Sequence, residues 1–237
     1  MKVIYQPKGR AGEYAKYAVN LYNGCLHGCK YCYVPKFTQK SSFDFHKNAE
    51  PRNSLLINLE KDCLELRGKI KDNVLLCFLT DPYPPIDNKF TRKALEIFRK
   101  YDIPFTILTK GGKRAIRDFD LYSKQDHFAS TLTFVSNEKT KKWEPKAELF
   151  NSRFEAIKEA KKRGIFTWVS LEPIIDPLET FKIIELTYPY VDLYKIGKVN
   201  YINLAINWHD LVLKIINMLN KLNKNFYIKK DLRQYIY

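Results

Sequence analysis

Long apolar runs are missing from this 237-residue sequence. None approaches the ~18–20 consecutive apolar residues that a membrane span needs. The first ten residues, Met-Lys-Val-Ile-Tyr-Gln-Pro-Lys-Gly-Arg, lack the apolar centre of a secretory signal. Linkers, low-complexity stretches and internal repeats are missing as well. One domain over residues 1–237 is therefore expected, with its core at about 15–200 and a C-terminal helix and tail at about 201–237. The five cysteines are an odd count with three clustered, and none follows residue 77, so a disulfide framework has little support. These absences point to the cytoplasm. Carboxylates are scarce too: 26 Asp and Glu face 41 Lys and Arg, for a formal net charge of +15. Such an excess suits a polyanion, whose counterions lysine and arginine release. It equally suits a chain rich in Lys, Asn, Ile and Tyr, the residues of A/T-rich codons, in which Lys158, Lys161, Lys162 and Arg163 form the solvated face of a helix.

What is present begins with 45% hydrophobic and 14% aromatic residues, enough for a real core. Apolar, β-prone runs fall at Tyr17–Tyr22, Val74–Thr80, Phe105–Thr109, Phe128–Val135, Phe166–Leu171 and Val191–Ile196. Helical patterns lie between them at about Ser54–Arg67, Arg92–Tyr101, Lys113–Ser123, Lys146–Arg163 and Leu178–Thr187, and another follows at Trp208–Leu222. Strict alternation predicts an α/β fold, a partial (β/α)6 TIM-type barrel of parallel strands with helices outside. The longest irregular stretch, Val34–Arg52, carries Phe37, Phe43, Phe45 and His46 among Lys36, Lys40 and Lys47. Stretches of that length are functional or mobile as a rule. The aromatic, basic tail from Phe226 to Tyr237 is expected to dock over one barrel end as a strand or short helix.

Cys25, Cys29 and Cys32 lie in Asn20-Leu-Tyr-Asn-Gly-Cys-Leu-His-Gly-Cys-Lys-Tyr-Cys-Tyr33. Four thiolates close a structural zinc or iron–sulfur site; three leave one position open for a small molecule. Gly24 and Gly28 each precede a ligand, where glycine lets the backbone bend tightly. A zinc site completed by His27 or the distant His46 is another arrangement the residues permit, and three unrelated buried thiols a third.

The C-x3-C-x-aromatic-C pattern, with Tyr31 as the aromatic, resembles the cluster motif of the radical S-adenosylmethionine (SAM) enzymes. The wider phrase is similar to the branch grouped with spore photoproduct lyase and the DNA repair photolyase-like proteins. Phe45-His-Lys-Asn-Ala49, Thr80-Asp-Pro-Tyr-Pro-Pro85, Thr109-Lys110, Ser130-Thr-Leu-Thr133 and Ser170-Leu-Glu-Pro173 follow in that branch's order. The resemblance implies a [4Fe–4S] cluster, SAM on its open iron, and reductive cleavage of SAM to a 5′-deoxyadenosyl radical. It also implies an external one-electron donor of flavodoxin or ferredoxin type, and a monomer is the favoured state. A lyase acting on a nucleic acid or nucleotide is one reading. Modification of a peptide or small metabolite is another, and a zinc-bound, non-catalytic nucleic-acid module is a remote third.

In (β/α) barrels the C-terminal strand ends line one mouth, and these motifs fall there. Cys25, Cys29 and Cys32 are the expected metal ligands. For SAM, Asp81 suits the ammonium and Lys110 the carboxylate by charge. Thr80, Thr131 and Thr133 can supply hydroxyls, Tyr31 can meet the adenine, and Ser170 lies beside them. Glu172 ends an apolar strand, where a carboxylate needs a partner, and has a binding or catalytic role here. The resemblance also asks for a cysteine hydrogen donor, which Cys77 loosely matches, although Leu76 and Phe78 around it fit a buried strand position.

Overall fold

β-branched and aromatic residues in short runs give seven strands: β1 (Tyr17–Val19), β2 (Val74–Leu76), β3 (Phe105–Thr109), β4 (His127–Thr131), β5 (Phe166–Ile174), β6 (Leu193–Lys198) and β7 (Asn225–Ile228). The computed structural model describes residues 1–86 and 89–236, without the side chain of Arg10. All seven strands pair in parallel and in chain order, each with the next. The main helices are α1 (Leu55–Leu66), α2 (Phe90–Lys100), α3 (Asn137–Trp143), α4 (Phe150–Lys162), α5 (Pro177–Thr187) and α6 (Trp208–Lys221). This is the expected partial barrel with one strand more.

Successive side chains of a strand point to opposite faces, and burial follows that rule. Leu76, Ile107, Phe128 and Val169 join the large core with the helix residues Leu59, Leu95, Phe98, Ile157 and Ile183. Ala18, Leu75, Ala129 and Trp168 face the other way and form a small inner cluster.

An open barrel has two unpaired edges, and the N-terminal segment reaches both. Tyr5 exchanges backbone hydrogen bonds of 3.0 and 2.8 Å with Ala18 at the β1 edge. Glu13 Oε1 accepts from the Tyr227 hydroxyl at 3.1 Å and the Lys230 amide at 2.8 Å at the β7 edge. The segment between carries Tyr14 across the gap.

Three expectations need correction. The tail adds a seventh strand and then a short helix, Lys230–Arg233, because β6 offers an unpaired edge right after α6. The helix expected at Lys146–Arg163 starts only at Phe150. Its first residues are claimed elsewhere: the Lys146 amide donates to His27 O at 3.1 Å and the Glu148 amide to Lys110 O at 3.1 Å. The segment expected as a helix at Lys113–Ser123 is 3-10 over Gly112–Leu121.

Candidate active site

Where β1 ends, buried Asn20 ties the sheet to the next loop. Its Oδ1 accepts from the Phe78 and Leu79 amides at 2.9 and 2.7 Å, and its Nδ2 donates to Tyr5 Oη at 2.9 Å. The cysteine loop follows. Gly24 takes φ +78°, and a Cβ there would lie 2.9 Å from Phe45 O, so only glycine allows the approach. Backbone bonds then clamp the loop on two sides. On one, the Cys25 amide donates to Phe45 O at 3.1 Å, and His46 Nδ1 donates to Cys25 O at 2.7 Å. On the other, the Lys30 amide reaches Trp143 O at 2.8 Å beside the Lys146–His27 bond. Val34–Phe37, Ser42–His46 and a two-residue antiparallel pairing of Tyr22–Asn23 with Glu50–Pro51 give order to the stretch read as irregular.

The three thiols are free and line one wall of a cavity of about 890 Å³. Burial pushes the Cys29 thiol up to about 12 and raises Cys25 and Cys32 as well. Without metal they are thiols; iron would take them as thiolates. Among the described residues, no three His, Cys, Asp or Glu side chains are spaced to hold a single metal ion. The zinc arrangement with His27 or His46 is therefore not formed, whereas a cubane binds each thiolate to a different iron. Two buried acceptors on the same cavity support a ligand there: Nε2 of His27 and Nε2 of His46 have no partner. His27 Nδ1 lies 3.4 Å from Asp81 Oδ2, and burial holds the ring neutral, pushed down to about 4.

Tyr31 is anchored from behind. Its hydroxyl donates to Glu144 Oε1, Thr133 donates to the same oxygen at 3.2 Å, and Arg153 Nη2 holds Oε2 at 2.5 Å. Glu144 and Arg153 are buried as a pair; burial alone would raise the carboxyl, but the guanidinium keeps it below its usual range. Thr133 thus turns to Glu144 and away from the cavity, whereas Thr131, at the end of β4, lines it. Composition around Glu144 hid this pair from sequence reasoning. The one usable signal was Ser136, which caps α3 by accepting from the Lys139 amide and so marks where the helix before Glu144 starts.

Asp81 and Lys110 come together through the main chain of Lys110. Asp81 Oδ2 accepts from the Lys110 amide at 2.8 Å, while Oδ1 accepts from Thr109 Oγ1 at 2.6 Å and the Tyr83 amide at 2.8 Å. Burial works against the carboxylate, yet His27 and these donors hold it below its usual range. The Lys110 ammonium reaches the cavity, 5.6 Å from the Tyr31 ring centre. Beside them the buried Thr80 hydroxyl has the Cys77 thiol as its neighbour. Cys77 accepts from the Leu21 amide at 3.4 Å, and burial raises its thiol to about 12.

The opposite wall is built by β5 and both chain ends. Glu172 accepts from Lys229 Nζ at 2.9 and 2.7 Å and from the Tyr14 hydroxyl. Tyr14 also meets Ser170 Oγ at 3.1 Å. Burial lifts the Glu172 carboxyl above its ordinary 4.5 despite Lys229. Tyr14, Ser170, Glu172 and Lys229 all line the cavity. Sequence reasoning missed Tyr14 and Lys229, since nothing local marks a terminal residue that crosses a barrel.

Comparisons with known proteins bear on the family and the fold. The "Uncharacterized protein MJ0683" of Methanocaldococcus jannaschii is 31% identical over 186 residues, covering 76% of this chain and 69% of its own length. The "Uncharacterized protein ORF301" of Acidianus two-tailed virus is 26% identical over 191 residues, covering 74% of this chain and 62% of its own. The chain thus spans about two thirds of these relatives. A spore photoproduct lyase mutant with bound AdoMet and dinucleoside spore photoproduct has the same fold, with a TM-score of 0.72, 13% identity and coverage of 95% of this chain and 78% of that one. So does Streptococcus suis SuiB bound to S-adenosylmethionine, with a TM-score of 0.68, 13% identity and coverage of 92% and 52%. No helix among the described residues is long and apolar enough to cross a membrane. With the family model described as the Radical SAM superfamily matching residues 19–188, this chain belongs to that superfamily, whose members use a [4Fe–4S] cluster and SAM.

Proposed function

We propose that this radical SAM enzyme acts on a nucleic acid or nucleotide, in lyase-like chemistry, in the reducing cytoplasm and as a monomer. One observation carries the reading: a single cavity has the three free thiols on one wall and the Tyr14–Glu172–Lys229 group on the other. Cys25, Cys29 and Cys32 would hold three irons of the cluster. When bound and reduced by a flavodoxin- or ferredoxin-type donor, the cluster and SAM supply a carbon radical that abstracts hydrogen.

The chain's own residues do the rest. Lys110 offers an ammonium to the SAM carboxylate, and Asp81 holds the turn that places it while adding negative charge for the amino group. Thr80, in the loop after β2, and Thr131, at the end of β4, present hydroxyls, and Tyr31, held by Glu144, fixes the loop beside the third ligand. Ser170 and Glu172 face the substrate side. Cys77 is assigned as hydrogen donor: its protonated thiol lines the cavity outside the cluster loop. The excess of 15 positive charges supports a polyanionic substrate, as does the shared fold with a lyase that binds a dinucleoside photoproduct.

The test is anaerobic reconstitution and reduction, followed by assay of 5′-deoxyadenosine with and without single-stranded and duplex polynucleotides. Stimulation by a polynucleotide supports the reading. Product formation that no polynucleotide alters, with no polynucleotide binding at low salt, overturns it in favour of a peptide or small metabolite.

A further inference from the structure

We propose that the cavity mouth carries a stacking site for an unpaired nucleobase, built from the rings of Phe37 and Tyr201 with the Lys36 ammonium beside them. It rests on the nucleic-acid reading above and adds the form in which the polymer is presented. Phe37 is 68% exposed and Tyr201 67% exposed, yet both line the cavity. Large rings left mostly in water at the rim of a cavity are available to a ligand.

Two separate parts of the chain bring them to one rim. Phe37 ends the short helix Val34–Phe37 directly after the cysteine loop, while Tyr201 lies in the loop after β6. Lys36 Nζ sits 4.3 Å from the Tyr201 ring centre, so the two segments meet there. Tyr201 holds φ +61°, a left-handed conformation unfavourable for a bulky residue. The surroundings are basic: Lys8 lines the same cavity, and Lys40 and Lys47 are exposed on the segment that carries Phe37.

Rings and cations together select the occupant. A base inside a duplex has both faces covered by its neighbours, so exposed rings reach only a single-stranded or extruded one. Stacking tolerates any base, and lysines beside the rings fit the phosphates on either side. An acidic peptide would meet the same cations but would leave the rings without a planar partner.

The experiment measures fluorescence anisotropy of labelled oligothymidylate, and of a duplex of the same length, with the reconstituted holoprotein and SAM at two salt concentrations. Phe37→Ala and Tyr201→Ala are each expected to weaken oligothymidylate binding about 5- to 100-fold at both salts. Tyr201→Phe should bind as the wild type does, and Lys36→Gln should flatten the salt dependence. Both rings are exposed, and unchanged iron content of each variant verifies that it folds. Wild-type affinity in a Phe37→Ala/Tyr201→Ala double variant overturns the stacking site alone. So does tighter binding of the duplex, or equally effective competition by polyglutamate. A wild type that binds no polynucleotide at low salt overturns the nucleic-acid reading itself, and the stacking site with it.

Discussion

The Tyr31 hydroxyl donates to Glu144 across 113 positions of sequence. Through that bond the aromatic between the second and third cysteines is fixed to a carboxylate whose other oxygen belongs to Arg153. The cysteine loop is thereby anchored to a buried ion pair at the head of α4, and its position depends on the pair.

Glu144→Ala should be severely destabilising. It leaves the Arg153 guanidinium, 2% exposed, buried without its counter-ion, at a cost of about 3–5 kcal/mol. Tyr31→Phe removes one hydrogen bond to a charged group and should lose about 1.5–3 kcal/mol. Denaturant midpoints of the two variants check the order; a Tyr31→Phe loss as large as that of Glu144→Ala would contradict it.

Cys29→Ala should abolish both iron incorporation and SAM cleavage, because the loop has three thiols and none to spare. Cys63, fully buried on α1 within the large core, serves as the contrast. Cys63→Ala should keep its iron. Iron and sulfide analysis after anaerobic reconstitution separates the two, and a Cys29→Ala protein with full iron would refute the ligand assignment.

Gly24→Ala should lose the cluster. The left-handed φ of +78° costs a non-glycine residue about 1–3 kcal/mol, and the new Cβ would press on the carbonyls of Phe45 and Asn48. The loop must then lift from the segment that clamps it. Reconstituted iron content is the readout, and wild-type loading would sink the argument.

Stability should rise with pH between about 8 and 10.5 because of Lys195. Its ammonium lies 4.7 Å from the Trp168 ring and 5.2 Å from that of Tyr14. Burial, helped by the Lys229 charge, pushes it down to about 8 from 10.5. In that window the unfolded chain keeps a proton that the folded chain has released, so raising pH favours folding, by up to roughly 3 kcal/mol. Denaturation of wild type and Lys195→Met across the window isolates the effect, and parallel curves would exclude it.

Much of the candidate site was legible because its signals are short-range. Ligand spacing singled out Cys25, Cys29 and Cys32, and Thr80, Asp81, Lys110, Thr131 and Ser170, in or just after strands, line the same cavity. Thr133 sits only two residues beyond Thr131, yet its hydroxyl serves Glu144. Sequence position cannot say which way a side chain turns once its strand has ended at Thr131. The lost start of the Lys146–Arg163 helix has a similar cause: its amides bond to the cysteine loop in preference to their own turn.

By itself the sequence determined the alternation of strands and helices, the cysteine loop and its family, since periodicity and ligand spacing are properties of neighbouring residues. Tertiary structure alone decided the seventh strand, the reach of the N-terminal segment to both barrel edges and the partners of the buried charges. Tyr14 meets Glu172 across 158 positions and Lys229 meets it across 57. Such pairings reflect how the sheet curls and which groups burial forces together, and no local pattern records them.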